Sequence, residues 1–212
     1  MRTGHCYDCI RLSVWQRLRR RRGHRLAWAL TVVLAGATSS SWCAAPDEVT
    51  QLLHAGGHVL VIRHAEAPGF GDPQDFRLGD CTTQRNLNES GRAQARAIGD
   101  WLRARGIERA RVYSSQWCRC LETASLLRLG AVTELPALNS FFERPQQREP
   151  NLAALRNFFD HQPADGELMV LVTHQVTITA LSGVVPASGT GVLMVLEPEG
   201  EARTVARIDF DG

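Results

Sequence analysis

Apolar residues along this chain fall into short uninterrupted runs separated by amphipathic stretches and polar turns, the pattern of strands alternating with helices. Residues 58–63 (His-Val-Leu-Val-Ile-Arg) form a compact apolar run of the kind a buried strand makes, and residues 168–173 (Leu-Met-Val-Leu-Val-Thr) form the clearest one. Shorter strands are predicted at 111–114 and at 132–135, the latter closed by Pro136. Two later runs, 191–196 and 204–210, are expected to finish the sheet as edge strands. Between them the spacing predicts helices. One covers residues 47–54. A second is capped by Asn88, carries Ala93, Ala97, Ile98, Trp101 and Leu102 on one face, and stops at Gly106. Others cover 117–128 and 151–161, while residues 67–86, with three Gly and two Pro, read as loop. This alternation predicts a three-layer α/β/α sandwich with a mostly parallel central sheet, a single domain over residues 46–212.

Charge divides the chain differently. All 24 basic residues are Arg, and eight of them lie in residues 1–45 with Asp8 as the only acid there. The rest of the chain holds more acids than bases, which disfavours a nucleic-acid binder. In residues 1–45 an arginine block at 17–22 precedes an apolar run at 26–35 and then small residues, the order of a signal peptide. An uncleaved anchor is the alternative, but the apolar run is short for a membrane span. A periplasmic or secreted protein with no stable span after cleavage is therefore expected. Without lysine, any anion must be held by Arg, His or backbone amides.

Arg63-His64 alone is weak evidence, because 24 Arg and seven His in 212 residues give about 0.8 such pairs by chance. Its position carries more, since it ends the first buried strand before a polar loop, and ligands of open α/β sheets bind at carboxyl ends of strands. Ser114-Ser115 ends the next strand with Arg119 close behind, and His174 follows the strand 168–173. Three strand ends thus deliver two Arg and two His to one edge. A metal held by His64 and His174 would need a third ligand at metal-like spacing, which the sequence lacks, so neither metal nor cofactor is expected.

Four segments in order carry a resemblance. They are Val61-Ile62-Arg63-His64-Ala65-Glu66, the stretch 86–95 with Gly91, Gln94 and Ala95, the stretch 114–124 with Ser114-Ser115, Arg119 and Thr123-Ala124, and Val172-Thr173-His174-Gln175. Together they resemble the histidine phosphatase, or phosphoglycerate-mutase-like, superfamily. The resemblance implies His64 as nucleophile toward phosphorus, with Arg63, Arg119 and His174 binding a small-molecule phosphate substrate. It implies a phosphomonoesterase working through phosphohistidine on a small or envelope-associated substrate, with a phosphohistidine phosphatase or a noncatalytic phosphate-binding module as alternatives. Clustered cations would favour the neutral, nucleophilic form of His64. The family commonly places a proton-donating glutamate after the third strand, where this chain has Ser140; Glu143 nearby is the candidate replacement, with Glu66 as another acid, and a plain Glu143-Arg144 surface salt bridge is the competing reading of Glu143.

Beyond the leader stand Cys81, Cys118 and Cys120. In an oxidising compartment Cys81 is expected to pair with Cys118 or Cys120 and leave one thiol free, three reduced cysteines being the alternative. N-terminal sequencing of the exported protein should read from within residues 44–47; an intact N-terminus on cytosolic protein would reject the leader.

Overall fold

The computed structural model describes residues 47–163 and 166–210. The leader read from residues 1–45 lies outside them. The two strongest apolar runs become neighbouring parallel strands, β1 (His58–Arg63) and a strand at Met169–Thr173, with Val59 opposite Met169 and Arg63 opposite Thr173. In chain order the strands are β1, β2 (Arg111–Ser114), β3 (Val132–Glu134), β4 (Met169–Thr173), β5 (Gly191–Leu196) and β6 (Ala202–Ile208). They form one sheet in the order β3-β2-β4-β1-β5-β6, parallel from β3 to β1 and antiparallel from β1 to β6.

Among the described residues five α-helices cover it: α1 (Glu48–His54), α2 (Glu89–Ala104), α3 (Cys118–Leu127), α4 (Arg148–Asp160) and α5 (Gln175–Ser182). Alternate strand residues face opposite layers, as the two-residue period demands. Leu60, Ile62, Val170 and Val172 pack with Leu53, Ile98, Leu102 and Leu127 of α1, α2 and α3. Val59, Val61, Met169 and Leu171 pack instead with Leu152, Leu155 and Phe159 of α4 and Ile178 of α5. Burial on both faces explains why β1 and β4 read as unbroken apolar runs. The fold is the three-layer, mostly parallel α/β sandwich expected.

Local details differ from the sequence reading, the last strand spanning Ala202–Ile208 rather than 204–210, and three differences have a plain physical reason. β5 is interior, between β1 and β6, and only β6 forms that edge. The distinction lies in composition: β5 carries the apolar run Val192-Leu193-Met194, whereas β6 intersperses Arg203, Thr204 and Arg207, polar residues suited to an edge. α4 begins at Arg148 rather than residue 151, because Pro150 sits in its first turn, where a missing N–H costs no helical bond. α5 has no counterpart among the predicted helices, since its Val, Thr and Ile do not favour helix; it forms between His174 at its N-cap and Gly183, whose φ of 72° ends it.

The cap expected at Asn88 is present, and Asp47, read from the sequence as the first helical residue, caps α1 instead. Asp47 Oδ1 accepts the Thr50 N–H at 2.7 Å, and Asn88 Oδ1 accepts the Gly91 N–H at 2.7 Å. Gly91 serves a second purpose, because a Cβ there would fall 2.0 Å from the Glu66 carbonyl oxygen. Only glycine lets α2 approach the chain leaving β1 so closely. Further along the helix the fit continues: Gln94 accepts the Glu66 N–H through Oε1 and donates Nε2 to the Ser188 carbonyl. Gly91→Ala should destabilise the domain by about 1–3 kcal/mol through overpacking, read as a lower denaturant midpoint at unchanged slope. An unchanged midpoint would show that the approach is not a constraint.

Candidate active site

Because β2, β4 and β1 are adjacent and parallel, their carboxyl ends open at the same edge. The chain stays tied to the sheet for one more residue: the His64 N–H donates to the Thr173 carbonyl and the Ser115 N–H to the Val172 carbonyl, each at 2.9 Å. His64 and His174 emerge side by side, ring centroids 5.6 Å apart and edge-on. Both are buried.

His64 Nδ1 lies 2.8 Å from the Ala65 carbonyl oxygen. A carbonyl only accepts, so Nδ1 carries the hydrogen and Nε2 keeps its lone pair. Burial drives the pKa of this imidazole down to about 3; the Ala65 hydrogen bond opposes that shift, while the charges of Arg119, Arg63 and Arg85 add to it. Burial likewise holds His174 well below the ordinary histidine range, with His64 and the same three arginines contributing. His174 Nε2 lies 2.9 Å from Ser115 Oγ, which also donates to Asn139 Oδ1 at 3.2 Å.

Three guanidinium groups surround the pair. Arg63 donates to the Pro186 carbonyl at 2.9 Å, and its Nε is buried without a partner. Arg119, from the first turn of α3, places one terminal nitrogen 2.6 Å from Asp72 Oδ1 and the other 3.1 Å from Oδ2, while its Nε also lacks a partner. Arg85 donates Nε to the Gly71 carbonyl at 2.9 Å and another nitrogen to the Ala67 carbonyl. Burial, then the neighbouring Arg119, lowers the pKa of both Arg63 and Arg85. Buried donors left open among mutually repelling cations suit an anion.

Nothing in the sequence singles out Asp72 or Arg85, and both come from the loop 67–86. That loop is fastened to the start of α3. Cys81 and Cys118 are joined by a disulfide, leaving Cys120 free and buried. The Cys118 N–H donates to Gln84 Oε1, Trp117 Nε1 donates to Asp72 Oδ2 at 2.9 Å, and Phe76 stacks on Trp117. Burial pushes the Asp72 carboxyl up, but the hydrogen bonds from Arg119 and Trp117 and the Arg119 charge outweigh it and hold the group below its ordinary value.

The pocket encloses about 210 Å³ and brings together Arg63, His64, Arg119, His174 and Glu143, all expected from the sequence, with Asp72 and Arg85. Glu143 is exposed, and its Oε1 accepts the Asp72 backbone N–H at 3.3 Å rather than pairing with Arg144. Ser140 also lines the wall. Glu66 is engaged elsewhere, its carboxylate accepting Asn88 Nδ2 at 2.9 Å and Ser90 Oγ at 3.0 Å. Phe70, 87% exposed, meets Phe142 edge-on at the rim. Among the described residues no cluster of three or more His, Cys, Asp or Glu is placed to hold a metal ion.

An uncharged imidazole with a free lone pair, set among guanidinium forks at a strand edge, is an arrangement for moving an anionic group onto nitrogen. The family model of the histidine phosphatase superfamily, branch 1, matches residues 59–145. Over those residues the chain is similar to that superfamily. Among solved structures it is similar to the protein histidine phosphatase SixA complexed with tungstate, at 17% identity and a TM-score of 0.50 over 72% of this chain and 97% of that one. It is also similar to the phosphoglycerate mutase of Thermus thermophilus, at 16% identity and a TM-score of 0.50 over 73% and 99%. At that identity the likeness concerns the fold. Comparison with curated proteins gives no match.

Nitrogen NMR of labelled histidine should show His64 as the neutral Nδ1–H tautomer with no titration between about pH 5 and 8. The unfolded chain binds more protons than folded His64 between its pKa of about 3 and the ordinary 6.5, so stability falls as pH drops through that window. His64→Gln should make the decline shallower than in wild type. A protonated ring at neutral pH, or an unchanged decline, would contradict the assignment.

Proposed function

We infer that this chain is a phosphomonoesterase that works through a phosphohistidine at His64, without a metal ion, on a small phosphorylated substrate. The observation that carries the reading is the Ala65 carbonyl holding the Nδ1 hydrogen of a neutral, buried His64. Nε2 is then free to attack phosphorus in line, forming an N–P bond as the ester P–O bond breaks. Water reverses the process and releases phosphate. Arg63, Arg85 and Arg119 supply planar donors for the equatorial oxygens, and His174, turned by Ser115, adds a further contact to the same group.

Charge bears on the substrate. The pocket wall carries four Arg and two acids, Asp72 and Glu143. That surplus matches one phosphate group of about −1.5 to −2 charge, and falls short of the doubly phosphorylated intermediate of a mutase. An uncharged leaving group fits the aromatic rim. A phosphohistidine substrate is the second reading, favoured by Ser140 at the position of the family's glutamate, because imidazole leaves more readily than an alkoxide. The leader, together with the Cys81–Cys118 disulfide, supports action in the periplasm or outside the cell.

His64→Ala should abolish hydrolysis of p-nitrophenyl phosphate, and the wild type should yield an acid-labile phosphoenzyme on quenching. Ala variants of Arg63, Arg119 and His174 should lose about 10²–10³-fold in kcat, and EDTA should leave the rate unchanged. Full turnover by His64→Ala would overturn the mechanism, and inhibition by EDTA reversed by a divalent ion would point to a metallophosphatase.

A further inference from the structure

Resting on that reading, the leaving group poses a further chemical problem. An alkyl phosphate leaves as an alkoxide unless a proton arrives, and Ser140 supplies no carboxyl group where the family resemblance puts one. Only two carboxylates line the pocket among the described residues, Asp72 and Glu143. Glu143 is exposed and lies against the neighbouring loop: its Oε1 accepts the Asp72 N–H, and a Cβ on Gly71 would come within 2.7 Å of that oxygen. It shapes the backbone that carries Asp72.

Asp72 is placed differently. Its two oxygens occupy both terminal nitrogens of Arg119, the fork that the reading above assigns to phosphate, and the two side chains are only 4% (Arg119) and 9% (Asp72) exposed. A carboxylate and a phosphoryl group offer the same pair of oxygens to a guanidinium, so they compete for one place. We propose that Asp72 is the general acid and base of this site, released from Arg119 by the incoming phosphoryl group and kept beside it by Trp117. The Trp117 indole N–H to Oδ2 is independent of Arg119, and the disulfide between Cys81 and Cys118 ties the same loop to α3. The carboxyl group therefore moves aside by the width of the group that displaces it.

The exchange also changes its protonation. Around Asp72 stand Arg119 on α3, Arg85 at the far end of its own loop, and Glu143 and Arg144 on the loop after β3; Arg63, His64 and His174 complete the pocket, the two histidines uncharged. With substrate bound, Arg119 faces phosphate oxygens and Asp72 has an anion as its nearest neighbour. Loss of a cationic partner and gain of an anionic one both favour the neutral acid. The proton comes from solvent or from the phosphate monoanion. As His64 Nε2 bonds to phosphorus and the ester P–O bond breaks, that proton passes to the leaving oxygen, giving the alcohol and an Asp72 carboxylate. The carboxylate next takes a proton from the water whose oxygen attacks phosphorus while the N–P bond breaks. Phosphate departs, and Asp72 returns its proton to solvent as it pairs with Arg119 again.

The test compares Asp72→Asn and Glu143→Gln with wild type on glycerol 2-phosphate and on p-nitrophenyl phosphate, whose leaving group hardly needs a proton. For Asp72→Asn, kcat/KM on the alkyl ester relative to the aryl ester should fall about 10²–10⁴-fold, the range of general acid catalysis. The same variant should show a burst of p-nitrophenolate and accumulate phosphoenzyme, because the second step lacks its base; that burst also certifies a folded site. Glu143→Gln should leave the ratio of the two substrates unchanged. Equal loss on both substrates without a burst in Asp72→Asn would overturn the role and make Asp72 a prop for Arg119. A ratio that falls in Glu143→Gln and not in Asp72→Asn would assign the acid to Glu143. Both results leave the phosphatase reading standing, whereas a wild type inactive on both esters would remove that reading and this one together.

Discussion

Parallel pairing of β1 with β4 sets Arg63 opposite Thr173, so the next residues of each strand, His64 and His174, leave the sheet at one edge. A slip of one residue would send every side chain of β1 to the other face, taking Val59 and Val61 away from α4 and α5. Burial on both faces therefore fixes the register, and the register fixes the distance between the two imidazoles. The hydrogen bond from the His64 N–H to the Thr173 carbonyl carries that constraint one residue beyond the strand.

Around this frame the site concentrates positive charge in a place that burial makes costly. Arg63, Arg85 and Arg119 share a pocket with one paired carboxylate, and the strain shows in the lowered pKa of Arg63 and Arg85, which burial and their neighbour Arg119 produce. The same cations, with burial, keep His64 unprotonated. Guanidinium groups are suited to this work because they stay charged under conditions where a buried lysine would lose its proton. The chain has no lysine to misplace there.

What the sequence made legible was the periodic part. The apolar runs of β1 and β4, the cap at Asn88 and the arginine and histidines at strand ends can be read from spacing alone, since each is fixed within a few residues of chain. Loop 67–86 cannot be read in that way. Asp72 and Arg85 have no periodicity to mark them, and their place at the pocket depends on contacts with Trp117, Gly71 and Arg119 made across the chain. β5 is a milder case: its apolar run is visible, and the antiparallel return of β6 that makes it interior is not. Glu143 stands out for its position after β3 and does reach the pocket, but its bond to the Asp72 backbone is a long-range fact.

The cysteines raise a question of order in time. Cys81 must find Cys118 rather than Cys120, two residues away on the same helix. Thiol–disulfide exchange runs through the thiolate, and burial pushes the Cys120 thiol up to about 12, so in the folded domain that attacking species is scarce. Cys120 also packs within the core cluster beneath the sheet edge, its sulfur 3.5 Å from His174 Nε2. Docking of α3 on the sheet thus buries one competitor and shields the finished crosslink from reshuffling by its nearest thiol. A chain oxidised before α3 docked would have no such protection, and a Cys81–Cys120 crosslink formed then would fasten the loop bearing Asp72 about half a turn out of place.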